Sequence, residues 1–486
     1  MLNKNMADYT PTPIQTASEG VEKKISFSVV AGTYLNRYST SSESDILINA
    51  GLYLSQSPNA RSPAMLVPRL GKTDIKPLTG CRGCFYSNTL QTVLIVTETQ
   101  LLSLNTWDWS STVLKELTGT QNYAPLFEEG YDSVGSNAAG AVVWVSGNGF
   151  FRIYKNSAGN LVVADVPTAN LDSADFTSLT FIDGYILASV RGTRKFIRSE
   201  LNGSKFSDGI NFSATQANDN IINIAQLNRE LFLFSERHSE IWWNAGSDQN
   251  QPFVRQDGRV YPVGILSENT VHLNGALYNF GAADDNTTGV YKWTSQGYEK
   301  VSFDYLDYLG TLASSIRLTG TLERNQTIIN VHLDVEGRTE IWSYYVDTKS
   351  WSKRENWDAI DVFSVRGQFY GIDDVGIFKI EGDTDRGTEI TCTKQCAVQH
   401  VDEKLVFYNL LELDIAGEEH GLVTLDISDD GGATWRNTGF SADSKRGSYN
   451  RLRFNRLGAS RSRVFRFRWV GVRVLGAYLD ADVGTK

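Results

Sequence analysis

The sequence predicts an all-β protein, a six- or seven-bladed β-propeller followed by a C-terminal β-sandwich domain. Three observations predict it. Short apolar runs of similar character recur seven times, at Val93–Val96, Val142–Val145, Tyr185–Ala188, Leu231–Phe234, Leu277–Phe280, Ile328–Val331 and Phe369–Ile372. Each run belongs to a unit with the same internal order. The regular recurrence then fades after Glu381, and strands of a different character take over.

Within the units, a polar or Gly-containing turn precedes the run in several cases, as at Asp183-Gly184, Asn228-Arg229, Asn274-Gly275 and Arg366-Gly367. A second aromatic strand follows, as at Glu240–Trp243, Val290–Trp293, Glu340–Tyr344 and Ile377–Ile380. The runs are β-branched and aromatic, and too short for helices. A multi-strand repeat of roughly 40–50 residues is the signature of a propeller blade. A single blade cannot bury both faces, whereas blades stacked in a circle bury them and leave only short edges. The first and last units are incomplete, which leaves the count at six or seven, and closure of the last by a strand from elsewhere is one way to complete it.

The expected organisation is an extended N-terminal segment with the first strands over 1–84, the propeller over 85–385 and the sandwich over 386–486. Ser39–Ser44 reads as a loop. The sandwich rests on strands at Glu389–Cys392, Lys404–Leu413, Leu422–Ser428, Arg451–Phe454 and Val464–Val474. No long amphipathic helix is expected.

Composition narrows the function. In 486 residues, 41% are hydrophobic and 21% charged, as in ordinary globular proteins. No apolar run approaches the roughly 18 residues of a membrane span. The first 20 residues are polar and lack the apolar core of a signal peptide, which suggests synthesis in the cytoplasm without a membrane anchor. Cys81 and Cys84 form one close pair and Cys392 and Cys396 another. They could be four zinc ligands, but the pairs lie far apart in sequence, and free thiols are the favoured reading. No metal or cofactor is expected.

The net charge is −10, yet ten basic residues and one acidic one lie between Asp443 and Arg473. An acidic body with a basic end suggests oriented assembly or a charged channel. A general DNA-binding protein is usually basic throughout. In Val464–Val470, Phe465, Phe467 and Trp469 alternate with Arg466 and Arg468; in Arg451–Phe454, Leu452 and Phe454 alternate with Arg451 and Arg453. A strand places the two sets on opposite faces. Arg451, Arg453, Arg456, Arg461, Arg463, Arg466 and Arg468 are therefore candidates for a partner interface, because a planar guanidinium pairs bidentately with carboxylates. A solvated face with local ion pairs is the plainer reading, and phosphate contact the least favoured.

Ser428–Trp435, SDDGGATW, matches an Asp-box turn. In this turn of Ser428, Asp430, Gly431, Gly432, Thr434 and Trp435, Asp430 would accept bonds from turn amides. Gly431 and Gly432 would allow positive φ, and Trp435 would pack beneath. Such a turn is structural. Sialidase propellers carry several, one per blade, whereas one clear copy occurs here, outside the repeats. Trp107, Trp109, Trp242, Trp243, Trp342, Trp351 and Trp357 read as blade cores in preference to sugar-stacking platforms. Adjacent Trp242 and Trp243 must face opposite ways, which leaves one for an interface. Asp284-Asp285 and Asp373-Asp374 read as turns, and Glu128-Glu129 as a solvated loop. His238, His272, His332, His400 and His420 show no HExxH or paired spacing, and no phosphate loop or GxSxG elbow occurs. No catalytic residue is expected.

Asn59–Tyr86 resembles the N-terminal part of the phage packaged-DNA stabilisation family, the tail accessory or nozzle proteins of short-tailed bacteriophages. Arg61-Ser62-Pro63 matches the family's Arg-Ser and Pro segment, and Arg82-Gly83 the pair that opens the first blade. Arg69-Leu70-Gly71 stands where a Pro-Gly turn is more usual. Gly297-Tyr298 through Val301-Ser302 is also similar. At the other end, SDDGGATW, Gly447, Arg451, Arg453, Arg456-Leu457-Gly458 and the Arg461–Arg468 strand resemble the end of these tail proteins.

The resemblance implies a homo-hexameric ring in the virion tail, below the portal-adaptor complex. The ring would extend the channel, retain the packaged genome and carry the tail needle or fibre proteins. Genomic DNA would pass through without sequence-specific binding, and an acidic wall would let its phosphates slide. Two alternatives remain: a propeller glycoside hydrolase, sialidase-like, with arginines and carboxylates at the propeller mouth, and a monomeric carbohydrate-binding propeller.

Overall fold

The computed structural model describes residues 24–25, 33, 45–55, 64–130, 140–166, 174–214, 219–246, 251–401, 404–416, 422–443 and 449–483. Most of the N-terminal segment, Ser39–Ser44, Arg61-Ser62-Pro63, His420 and Gly447 lie outside these residues. Two compact units divide the chain. One comprises Leu70–Asp347 and Glu355–Gly387, the other Met1–Arg69, Thr348–Arg354 and Thr388–Lys486.

The first unit is a propeller. Its described residues form seven successive antiparallel blades, beginning with Cys81–Ser87, Thr92–Thr97, Gln100–Asn105 and Ser111–Glu116. The inner strands of the following blades are Leu126–Gly130, Phe176–Ile182, Ile221–Leu227, Val271–Leu273, Ala313–Glu323 and Asp361–Val365. All seven apolar runs seen in the sequence are second strands of blades, and the second aromatic strands are third strands. The seventh blade has only Asp361–Val365, Gln368–Ile372 and Gly376–Ile380 of its own. Lys72–Pro77, from before the first blade, pairs antiparallel with its outer strand and completes it.

The second strands are largely apolar because both their faces are buried, with Asn279 and Asn330 among the buried polar exceptions. Leu94 and Val96 pack towards Val143 and Val145 of the second blade, while Val93 and Ile95 pack towards Val365 and Ile377 of the seventh. Leu231 and Leu233 likewise face the third blade, and Phe232 and Phe234 the fifth. Each blade is thus a wedge with a separate apolar seam on either side, and the cluster joining the seventh blade to the first closes the circle. The Arg-Gly pair opening the first blade has a steric basis: a Cβ on Gly83 would lie 2.7 Å from Pro125 Cγ.

Five first-to-second strand connections are two-residue hairpins with positive φ at both positions: Asp183-Gly184, Asn228-Arg229, Asn274-Gly275, Arg324-Asn325 and Arg366-Gly367. This is the type I′ geometry whose twist matches the strands it joins. Among the described residues there is one helix, Asp304–Leu312, between the fifth and sixth blades, with Leu306, Leu309 and Gly310 buried. Trp242 is buried and Trp243 is 45% exposed, as their adjacency requires. Trp342 and Trp357 fill blade cores, but Trp107 is 78% exposed and departs from that expectation. Glu128 and Glu129 also depart from theirs. They lie on an inner strand, not in a solvated loop, and burial pushes the Glu128 carboxyl up to about 7.

The second unit is a β-sandwich. One sheet orders Ala50–Leu54, Ala64–Pro68, Arg473–Val483, Val406–Ala416 and Tyr449–Ser460. The other orders Ser350–Lys353, Ile46–Ile48, Cys392–Gln395, Ser462–Trp469, Leu422–Ser428 and Arg436–Asp443. Leu411, Leu413, Phe454 and Leu479 of the first sheet meet Val423, Leu425, Phe465, Phe467 and Trp469 of the second in one core. Cys392 and Cys396 are buried in this core, and Cys81 and Cys84 in the propeller.

Candidate functional site

The C-terminal arginines sit on two sandwich strands, Tyr449–Ser460 and Ser462–Trp469. Alternation sends Leu452, Phe454, Phe465, Phe467 and Trp469 into the core and turns Arg451, Arg453, Arg466 and Arg468 outward. The two strands belong to opposite sheets. The arginines therefore form two groups on the two outer faces of the sandwich, where the sequence suggested a single face.

Cross-strand register supplies each group with carboxylates. Arg453 stands opposite Glu412 and Arg451 opposite Asp414. Arg453 Nε donates to Glu412 at 2.9 Å; Arg451 Nε reaches Glu412 at 2.9 Å and Asp414 at 3.1 Å. On the other sheet Arg466 stands opposite Asp426, with Arg468 one pleat away. Both guanidiniums bind Asp426 Oδ2, at 3.0 and 2.9 Å, and the Asp426 side chain is only 3% exposed.

Arg463 cannot be a partner contact. Its side chain is 1% exposed, and Nε and Nη2 grip Asp429 at 2.6 and 2.9 Å. Nη1 donates to the Leu457 carbonyl at 2.6 Å, and the guanidinium lies over Tyr408. Burial alone would raise the Asp429 carboxyl, but the bond and charge of Arg463 hold it below its ordinary value. Arg456 is exposed at a positive φ of 58°, and Arg461 is exposed just before the last arginine strand.

The aspartate turn adjoins the Arg466 group. Ser428 Oγ donates to Asp430 Oδ1 at 2.7 Å and accepts the Gly432 N–H at 2.8 Å. Thr434 N donates to Asp430 Oδ1 at 2.9 Å, and its hydroxyl bonds Oδ2. These bonds, the Thr434 hydroxyl first, pull the Asp430 carboxyl down to about 2. Gly431 and Gly432 take φ of 73° and 91°. Half-buried Trp435 lies beneath the Arg466 guanidinium, 3.9 Å from the ring centroid.

This arrangement suits recognition more than bond-making: fixed, flat cations whose charge is partly matched from within. Among the described residues no group of three or more His, Cys, Asp or Glu side chains could hold a metal ion. No helix there is long and apolar enough to cross a membrane. The residues missed from the sequence are the acceptors Glu412, Asp414, Asp426 and Asp429. Their signal was present in Glu412-Leu413-Asp414 and Leu425-Asp426, strands in which acid alternates with apolar residue.

No curated protein matches the chain. The extracellular domain of a one-component system from B. thetaiotaomicron is similar at 10% identity and a TM-score of 0.42, with 85% of this chain and 62% of that chain covered. The CNH domain of AfRom2 is similar at 11% identity and a TM-score of 0.30, over 66% of this chain and 98% of that one. A family model described as bacteriophage P22 Gp10, beta-propeller, matches residues 38–375. That span takes in all seven inner strands and most of the closing blade, and the chain belongs to this phage-stabilisation family.

Proposed function

We propose that the protein is a structural subunit of a short-tailed phage's tail, a nozzle subunit that forms a hexameric ring below the portal-adaptor complex. The ring extends the DNA channel, retains the packaged genome and bears the tail needle or fibre proteins. Membership of the phage-stabilisation family over residues 38–375 carries this reading, and supports a virion component with a role in DNA stabilisation.

The physical features fit a mechanical part. Seven wedges closed by a strand from outside the repeat form a disc that opens only if that strand is peeled away. The chain is acidic, at −10. Arg451, Arg453, Arg463, Arg466 and Arg468 are matched by carboxylates of their own unit. Phosphate affinity depends on unmatched cations, so DNA slides past such a surface without sequence-specific binding. The exposed Arg456 and Arg461 dock an acidic surface of the adaptor or of a neighbouring subunit. A sialidase-like enzyme would carry aspartate turns on its blades, whereas the turn at Asp430 belongs to the sandwich.

Electron microscopy of the full-length protein mixed with purified portal and adaptor complexes tests the proposal. A ring capping the portal is expected; protein that stays monomeric and leaves the complexes bare overturns it.

A further inference from the structure

Three of the five type I′ hairpins at the blade tips place an arginine at positive φ: Arg229 at 63°, Arg324 at 50° and Arg366 at 52°. A long side chain there carries a backbone cost that Asn or Gly avoids, so something must favour arginine. For two of them it is a carboxylate. Arg229 Nε lies 2.9 Å from Asp183 Oδ1 on the neighbouring blade tip, and Arg324 Nη2 lies 3.0 Å from Asp383 Oδ1. Arg366 has no carboxylate among the described residues. Its guanidinium instead stacks on the indole of Trp107, 3.5 Å from the ring centroid, and both residues are exposed.

Beside this stack is a cleft of about 460 Å³ between the inner strands of the first and seventh blades. Phe85, Tyr86 and Phe363 supply its apolar walls, and Asn88, Ser364 and Arg366 its polar rim. The Tyr86 hydroxyl is engaged by Gln91, which also donates to the Asn88 carbonyl. With the Tyr86 hydroxyl taken, Asn88, Ser364 and Arg366 are few polar side chains for the many hydroxyls of a sugar. Stacking fixes the plane of the guanidinium and leaves its N–H edge free for a carboxylate.

We propose that this cleft binds an acidic peptide segment of a partner protein. An Asp or Glu carboxylate pairs with Arg366, and an adjacent apolar side chain enters the cleft against Phe85 and Phe363. The occupant supplies what Asp183 and Asp383 supply to the other two tips. Trp and Arg together are also the residue types that dominate binding energy at protein interfaces. The inference is independent of the nozzle reading, since it concerns a blade-tip cleft and not the sandwich arginines.

The test uses calorimetric titration of the full-length protein with N-acetyl-Asp-Phe-amide and N-acetyl-Glu-Phe-amide. Wild type is expected to bind at least one probe saturably. Arg366→Asn should weaken binding at least tenfold, and Asn suits the turn's positive φ, so the fold is kept. Trp107→Ala should weaken it also, and the Asn-Phe and Gln-Phe analogues should not bind. Wild type that leaves both acidic probes unbound at millimolar concentration overturns the proposal. So does binding that Arg366→Asn leaves unchanged, or a preference for N-acetylneuraminic acid over both peptides.

Discussion

Arg386 grips both carboxylate oxygens of Asp373, each at 2.8 Å, although the Asp373 side chain is fully buried. Lys72, first residue of the closing strand and itself buried, lies 3.5 Å from the same carboxylate and also pairs with Asp358. Asp373 Oδ1 further accepts the N–H groups of Val375 and Gly376. One carboxylate thus joins the seventh blade's own turn, the strand that completes the blade and the segment that follows it.

Removing that charge should loosen the closure before the rest of the propeller. Asp373→Asn keeps the turn acceptor but takes away the buried charge that Lys72 and Arg386 share, leaving them only Asp358 and Asp74; complete loss of a buried partner costs about 3–5 kcal/mol, and the cost here should lie below that. The expected outcome is a lower melting temperature, with amide exchange in residues 72–77 accelerating more than in residues 92–97. Uniform exchange across the two strands would deny the closing strand its separate role.

Glu128 gives a pH dependence with a defined sign. Burial raises its carboxyl from an ordinary 4.5 to about 7, with opposing bonds from the Glu129 and Phe181 N–H groups and a raising contribution from the Glu129 charge. The folded state holds this proton more tightly than the unfolded state. Its contribution to stability is complete below 4.5 and is lost as the pH rises through about 7. Glu128→Gln stays neutral throughout. The melting temperature of wild type relative to this variant should fall between those two pH values and level off above them. A constant difference across the window would show that Glu128 titrates normally.

The repeat was legible because its cause is local. A strand buried on both faces is apolar at most positions, and Val93–Val96 and Leu231–Phe234 announce this directly. Four of the five two-residue turns were legible for a similar reason, since each carries an Asn, Asp or Gly suited to positive φ; the fifth, Arg324-Asn325, was not singled out. Pairing across distance was not. Nothing in Arg466 or Arg468 says that Asp426 stands opposite, because register between Ser462–Trp469 and Leu422–Ser428 is set by the shared core. Glu128-Glu129 misled because two adjacent acids usually mark a solvated surface, while here the ring places a neighbouring blade beside them.

That register changes what charge reversal at Arg466 and Arg468 would report. Glutamates there would face the nearly buried Asp426 and damage the sandwich itself. Arg466→Gln with Arg468→Gln should already cost about 3 kcal/mol, as for other buried carboxylates robbed of a partner, and adding Asp426→Asn should recover most of it. The melting temperatures of the double and triple variants check this. Reversal at the exposed Arg456 and Arg461 is the cleaner probe of docking, since Arg453 is itself paired with the nearly buried Glu412. Ring formation on the portal should fail while the melting temperature changes little.

Gly310 tests how tightly the one helix is seated. A Cβ at this position would lie 2.1 Å from Phe280 Cζ, in the second strand of the fifth blade, and Phe280 is fully buried. Helix propensity alone favours Gly310→Ala by about 1 kcal/mol. Overpacking a filled core costs about 1–3 kcal/mol, and here the clash is with a rigid ring that has no room to turn. The net effect should be a loss of stability, read as a lower denaturant midpoint. Phe280→Leu in the same chain should restore part of it by yielding the space the new methyl needs. If Gly310→Ala alone raises the midpoint, the helix does not press on Phe280 and its glycine is there for another reason.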